Sequence, residues 1–278
     1  MKALLKIELS RAFRNKMLLL ALLLGCGIAV AHIFIHVLPE GIHWLHEWDR
    51  DERFQVETPF YSVFNSALGF EFISLPYTIF IYIFPILAAL PFADSFYTDM
   101  KSGYIKNVLI RTKKTNYFAA KYIAVFLSAG VVVVIPLILN LLITAALLPS
   151  IIPERYSHSF TVGFNQFGGG LYHSNPYAYA ALWYILDFVY AGIFAALALT
   201  LAYFVSNRFI VLLSPFILYI AISTTAGMMG LNQFTIMYHV MPTQQAHINF
   251  PLTLLTMLVL LLPALAVYFV KGRRHEVF

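Results

Sequence analysis

Six runs of about twenty apolar residues constrain this chain more than any other feature, because a run that long and that poor in charge spans the hydrocarbon core of a bilayer as an α-helix. They cover about 17–37, 75–92, 122–148, 180–205, 209–229 and 250–270. Hydrophobic residues make up 60% of the chain and charged residues 11%, with a mean hydropathy of +0.78, which excludes an ordinary soluble domain. Six spans and their loops fill the 278 residues, so no separate soluble catalytic domain is expected. The reading is an all-α integral membrane protein with a single transmembrane domain over 1–278.

Charge orients the runs. Residues 1–16 hold Lys2, Lys6, Arg11, Arg14 and Lys16 against the lone acid Glu8, and the segment 94–121 carries Lys101, Lys106, Arg111, Lys113, Lys114 and Lys121. Placing these on one side with Arg208, Lys271, Arg273 and Arg274 leaves Arg50, Arg53 and Arg155 opposite. The excess of basic residues predicts that both termini and the 94–121 loop are cytoplasmic. The loop from Pro39 to about Ser74 is acidic, with Glu40, Glu47, Asp49, Asp51, Glu52, Glu57 and Glu71, and is predicted to be external. A net charge of +5 is thereby accounted for at one membrane surface, and nucleic acid is not an expected partner. The segment before the first span predicts an interfacial helix with Leu5, Leu9, Ala12 and Phe13 on one face and Ile7 off it. A small-x-small pattern at Ala29-Val30-Ala31 raises a cleavable leader as the alternative, but apolar sequence continues through Ile35, so an uncleaved anchor is expected.

The 94–121 segment is patterned as well as basic. Tyr104, Ile105, Val108 and Leu109 recur at helical spacing, with Lys101, Lys106 and Arg111 elsewhere around the helix. Asp99, Gly103, Lys106, Leu109, Arg111-Thr112, Lys113-Lys114, Tyr117 and Lys121, in that order, resemble the cytoplasmic loop of ABC-2 type transporter permeases. The resemblance covers about thirty residues closely and the span layout more loosely. It implies an amino-terminal elbow helix, six spans, a re-entrant element within 230–249, and a coupling helix that docks on a separate ATP-binding subunit. In that reading Asp99 caps the coupling helix, Gly103 allows close backbone approach, and Lys106, Asn107 and Arg111 make the contacts. It further implies two permease copies, identical or paired with a related chain, two copies of the ATPase subunit, and export of an amphipathic substrate such as a peptide antibiotic, drug or lipid. Residence in a cell membrane, as in a bacterial plasma membrane, is expected. ATP and Mg are expected on the partner, with no cofactor on this chain.

Sequence patterns for chemistry are few. The Gly168-Gly169-Gly170 triplet is not followed by the Lys-Ser/Thr of a phosphate-cradling loop, and neither a HExxH nor a GxSxG pattern occurs, so an enzyme is not expected. Asp187 is the one acid deep inside a span; it is a pathway candidate or a carboxylate satisfied by a neighbouring Tyr or Asn. Asn140 is expected to bridge helices, with substrate contact as the alternative. His36, His43 and His46, near His32, Glu40 and Glu47, have helical spacings suited to one divalent ion. Trp44, Trp48 and Trp183 read as interface anchors. The single cysteine, Cys26, excludes an intrachain disulfide. Two rival functions follow from these residues: an ion-coupled secondary transporter using Asp187, and a membrane sensor binding ligand at the acidic, His-rich outer loop.

Overall fold

A computed structural model of the chain describes residues 1–50, 61–71, 74–153, 161–244 and 246–274. Asp51, Glu52, Arg53, Glu57, Glu154, Arg155, His158 and His275 lie outside the described residues. Among the described residues the chain is helical and without strands. It begins with α1 (Lys2–Phe13) and α2 (Lys16–His32). From α2 it runs without a break through a π-helical turn, Ile33–Val37, into α3 (Leu38–Arg50). Then come α4 (Val63–Ser66), α5 (Leu75–Ala89), α6 (Ser95–Lys101), α7 (Tyr104–Arg111) and α8 (Lys114–Leu147). The order closes with α9 (Gly169–Ser174), α10 (Pro176–Leu201), α11 (Arg208–Met228), α12 (Ile236–His239) and α13 (Phe250–Arg274).

Among the described residues, five helices are long and apolar enough to cross a membrane: Lys16–Trp48, Lys114–Leu147, Pro176–Leu201, Arg208–Met228 and Phe250–Gly272. The run expected as the second span forms α5, which is only 15 residues. At about 1.5 Å per residue it reaches about 22 Å, less than the hydrocarbon core of about 30 Å. The protein is thus an all-α membrane protein.

Local chemistry sets where the helices start. Asn15, Ser74, Asn175 and Asn207 accept hydrogen bonds from the backbone N–H groups of Met17, Tyr77, Ala178 and Phe209, capping α2, α5, α10 and α11. Pro76 and Pro176 sit in the first turns, where their missing N–H is harmless. α10 is the central helix: 72% of its apolar window is buried, against 28–50% for the other four. Its antiparallel packing on α8 is reciprocal. A Cβ at Gly130 would overlap the Phe188 ring, and one at Gly192 would overlap the Phe126 ring. Each helix therefore seats an aromatic knob in the other's glycine notch, the close approach that small residues permit between membrane helices.

Two sequence expectations change here. In α1 the buried residues are Leu4, Glu8 and Ala12, while Phe13 and Ile7 are exposed. The helix turns its acid inward because Glu8 has cationic partners there. Trp183 is fully buried against Phe167 and Tyr179 in the core and is not an interface anchor, whereas Trp44 and Trp48 stack on each other along α3.

Candidate functional site

The 94–121 segment folds as two short helices, α6 and α7, followed by the first two turns of α8. Gly103 separates the two helices in the left-handed region, φ +71°, which glycine adopts without strain. A Cβ there would meet nothing within 4 Å among the described residues, so the glycine serves the backbone turn.

Beneath this corner lies a buried charge cluster assembled from three segments. Asp99 of α6 accepts two hydrogen bonds from Arg11 of α1, at 2.6 and 3.3 Å, one from the Tyr117 hydroxyl at 2.6 Å and one from Lys121 at 2.6 Å. Lys121, 0% exposed, also pairs with Glu8 at 2.6 Å, and Arg11 closes the ring on Glu8 at 2.9 Å. Two carboxylates therefore face two cations, and each acid touches both. The Arg11 guanidinium further lies over the Tyr104 ring, 4.3 Å from its centroid, linking α1 to α7. Burial works to raise the Asp99 carboxyl, but the Arg11 hydrogen bonds and the Lys121 charge outweigh it and hold the group below its ordinary range. The same acids, against the opposing effect of burial, push the Arg11 guanidinium above its already high value. Asp99 is thus a buried hub. It does not cap α7, whose N-terminal residue is Gly103 with no side-chain cap, because its oxygens are already taken by Arg11, Tyr117 and Lys121.

α7 itself has two sides. Ile105 is buried toward the bundle, with Tyr104, Val108 and Leu109 packed against the core. Lys106, Asn107, Ile110 and Arg111 are exposed on the opposite side, and Ile110 is 71% exposed. An apolar side chain framed by two cations and an amide, at i, i+1, i+4 and i+5, makes one continuous helix face.

The structure does not bring His36, His43 and His46 together. His43 and His46 are exposed on α3, where His46 lies 3.5 Å from Glu47. His36 turns to a different pair. Among the described residues, the group whose ligand atoms converge within 4.8 Å is His32, His36 and Glu71. Both Nε2 atoms lie against Glu71 Oε2, at 2.8 and 2.7 Å, and Ser74 donates to Glu71 Oε1 at 2.5 Å. The wide π-helical turn begins directly after His32 and contains His36. Asn140 fixes the chemistry of the cluster. Its Oδ1 accepts from the Leu68 backbone N–H at 2.8 Å, so Nδ2 must donate to Ala29 O at 2.8 Å and face His32 Nδ1 at 3.0 Å. His32 Nδ1 is then the acceptor, and Nε2 carries the proton toward Glu71. This is a hydrogen-bonded arrangement: 2.7–2.8 Å is shorter than the roughly 3.3 Å between neighbouring ligand atoms that a tetrahedral ion with bonds of about 2.0 Å requires.

Asp187 is 3% exposed in the middle of α10, and its Oδ1 has no hydrogen-bond partner among the described residues. It borders a narrow cavity shared with Tyr77, Tyr184 and Leu68, and the Tyr77 hydroxyl is likewise unpartnered. The two tyrosines three residues to either side are turned elsewhere: the Tyr184 hydroxyl donates to Leu137 O, and the Tyr190 hydroxyl pairs with Thr256 Oγ1 at 2.7 Å.

Residues that the sequence reading missed are Glu8 and Arg11 as hub partners, and His32 with Glu71. The available signals were the single acid in a basic amino-terminal helix, three residues before an arginine, and an acid set among apolar residues in Phe70-Glu71-Phe72. In comparisons with known proteins, no family model matches the chain, and neither a curated protein nor a solved structure matches it.

Proposed function

We propose that the chain is the permease subunit of an ATP-driven exporter of the ABC-2 type, with α7 as the helix that docks on a separate ATP-binding subunit. The observation that carries this reading is the pairing of an exposed contact face, Lys106, Asn107, Ile110 and Arg111, with a rigid buried tether from the same corner to α1 and α8. α7 follows directly on the charge-paired corner and is joined to it by Arg11 over Tyr104, so a push on it reaches the long helices; a loop held only by its ends does not transmit one. In this reading α5 and the turns that follow it make the sixth crossing. Both termini are cytoplasmic, two permease copies form the pathway, and closure of the partner on ATP shifts the bundle between two states. An amphipathic cargo suits a bundle whose described membrane helices offer aromatic and apolar surface. The test is copurification of the tagged chain from its native membrane in mild detergent, followed by mass spectrometry. An ATP-binding subunit is expected with the wild type and is lost with Lys106→Glu/Arg111→Glu; failure of any ATPase to copurify from an intact complex overturns the reading.

The buried Oδ1 of Asp187, without a hydrogen-bond partner among the described residues, favours a second reading, an ion-coupled transporter. That reading predicts flux without an ATPase partner and loss of flux in Asp187→Asn, measured in proteoliposomes with an imposed proton gradient.

A further inference from the structure

An open pocket of about 490 Å³ lies at the basic end, where α1 ends, α5 has just ended, and α2 and α11 begin. Its wall carries three guanidinium groups, Arg11, Arg14 and Arg208. Arg11 is committed to Asp99 and Glu8. Arg208 engages Asp94 through Nε and makes no other hydrogen bond among the described residues, so its two terminal nitrogens keep their donors. Arg14 pairs with no acid among the described residues. Among the described residues Asp94 is the one acid on the wall, leaving that lining net positive. Ser95 also lines the pocket. It is 4% exposed, and its Oγ has no hydrogen-bond partner among the described residues, which is an unfavourable state for a buried hydroxyl.

The level of this pocket in the bundle identifies its ligand. The apolar helices α2 and α11 start at Lys16 and Arg208, and α5 ends at Ala89, so the pocket sits at the plane where apolar side chains give way to polar ones. In a bilayer that plane holds phosphate groups, and guanidinium forks match phosphate oxygens in shape and charge. We propose that the pocket binds the phosphate of an anionic phospholipid headgroup, with Arg14 and Arg208 as its cationic partners and Ser95 as a hydroxyl donor. The lipid would join α1, α6 and α11 at one point, independently of what docks on α7. Free phosphate shares this chemistry, and the experiment separates the two.

The test is native mass spectrometry of the full-length chain purified in mild detergent, after incubation with phosphatidylglycerol, with phosphatidylcholine, or with excess inorganic phosphate. Wild type is expected to retain one phosphatidylglycerol in preference to phosphatidylcholine. Arg14→Gln and Arg208→Gln should each weaken that retention about fivefold, Arg14→Lys should largely preserve it, and Ser95→Ala should weaken it less. Arg14 pairs with no acid among the described residues, so its variant is expected to fold and keeps the test valid even if Arg208→Gln disturbs Asp94. Equal retention of the two lipids, or retention unchanged by Arg14→Gln, overturns the proposal. Displacement of the lipid by inorganic phosphate overturns the lipid assignment. Loss of a copurifying protein in Arg14→Gln with lipid retention intact overturns it in favour of an acidic protein segment.

Discussion

Two buried polar clusters of this protein share one helix, α8, which gives Tyr117 and Lys121 to the first and Asn140 to the second, and they are built on opposite principles. The cluster at the basic end is fully ionic: Glu8 and Asp99 face Arg11 and Lys121, and every acid has two cations. About 28 Å along α8 from Lys121 to Asn140, at about 1.5 Å per residue, the His32–His36–Glu71 cluster has one carboxylate serving two imidazoles, and a neutral amide, Asn140, arranging them. In low dielectric an ionic ring is rigid but intolerant of losing a member, because each loss strands a charge. A hydrogen-bonded cluster with one acid strands less. The lesson is that burial of polar groups serves tethering at one end and orientation at the other.

The harshest way to break the comparison is Asp99→Ala, which leaves Arg11 and Lys121 sharing Glu8 alone. A loss of about 3–5 kcal/mol is expected, read as a lower thermal unfolding midpoint in detergent; a midpoint within a degree of wild type would show the ring to be dispensable. Asn140→Ala should cost less, about 1–3 kcal/mol, because it strands a backbone N–H at Leu68 and frees the His32 ring without stranding an ion. If it proves as costly as Asp99→Ala, the two clusters do not differ in kind. Smaller again is the effect of acid. Asp99 has its carboxyl depressed in the folded protein, so its stabilisation is complete above the unfolded value of about 4 and is lost as pH falls below that toward the folded value. The midpoint should hold from pH 7 to 5 and fall below 4 more steeply in wild type than in Asp99→Asn; parallel curves would remove Asp99 from the account. The smallest change is expected from Lys106→Glu/Arg111→Glu, within about 0.5 kcal/mol of wild type, since these side chains are exposed and stand apart from the ring. A large shift would mean that the exposed face is part of the tether.

Long apolar periodicity made the membrane class legible, and the Asn and Ser caps at the helix starts were visible as residue types. α5 was the exception: fifteen helical residues end at a stretch where Pro91 interrupts the pattern, and hydropathy alone does not register where a helix stops. The hub was half legible. Asp99, Tyr117 and Lys121 stood out in the loop, but Arg11, the partner of Asp99, lies 88 residues earlier and Glu8, the partner of Lys121, lies farther still along the chain, and no local spacing carries a pairing that only the fold creates. The histidine set failed for a related reason. An i, i+4 rule assumes an unbroken α-helix, whereas His36 lies in a π-helical turn and finds Glu71 across a loop.

That turn has an implication for how the chain tolerates change in length. A π-helical turn is an α-helix that has accepted one additional residue without displacing the helix on either side. Phe34 within it is 67% exposed and packs against little. Deleting Phe34 should therefore heal the turn to ordinary α-helix, leave α2 and α3 in place, and move His36 one step closer along the chain to His32 and off Glu71. The span and the cluster are in this sense separately editable, so that a single-codon deletion, usually ruinous inside a membrane helix, becomes here a means of removing one and keeping the other.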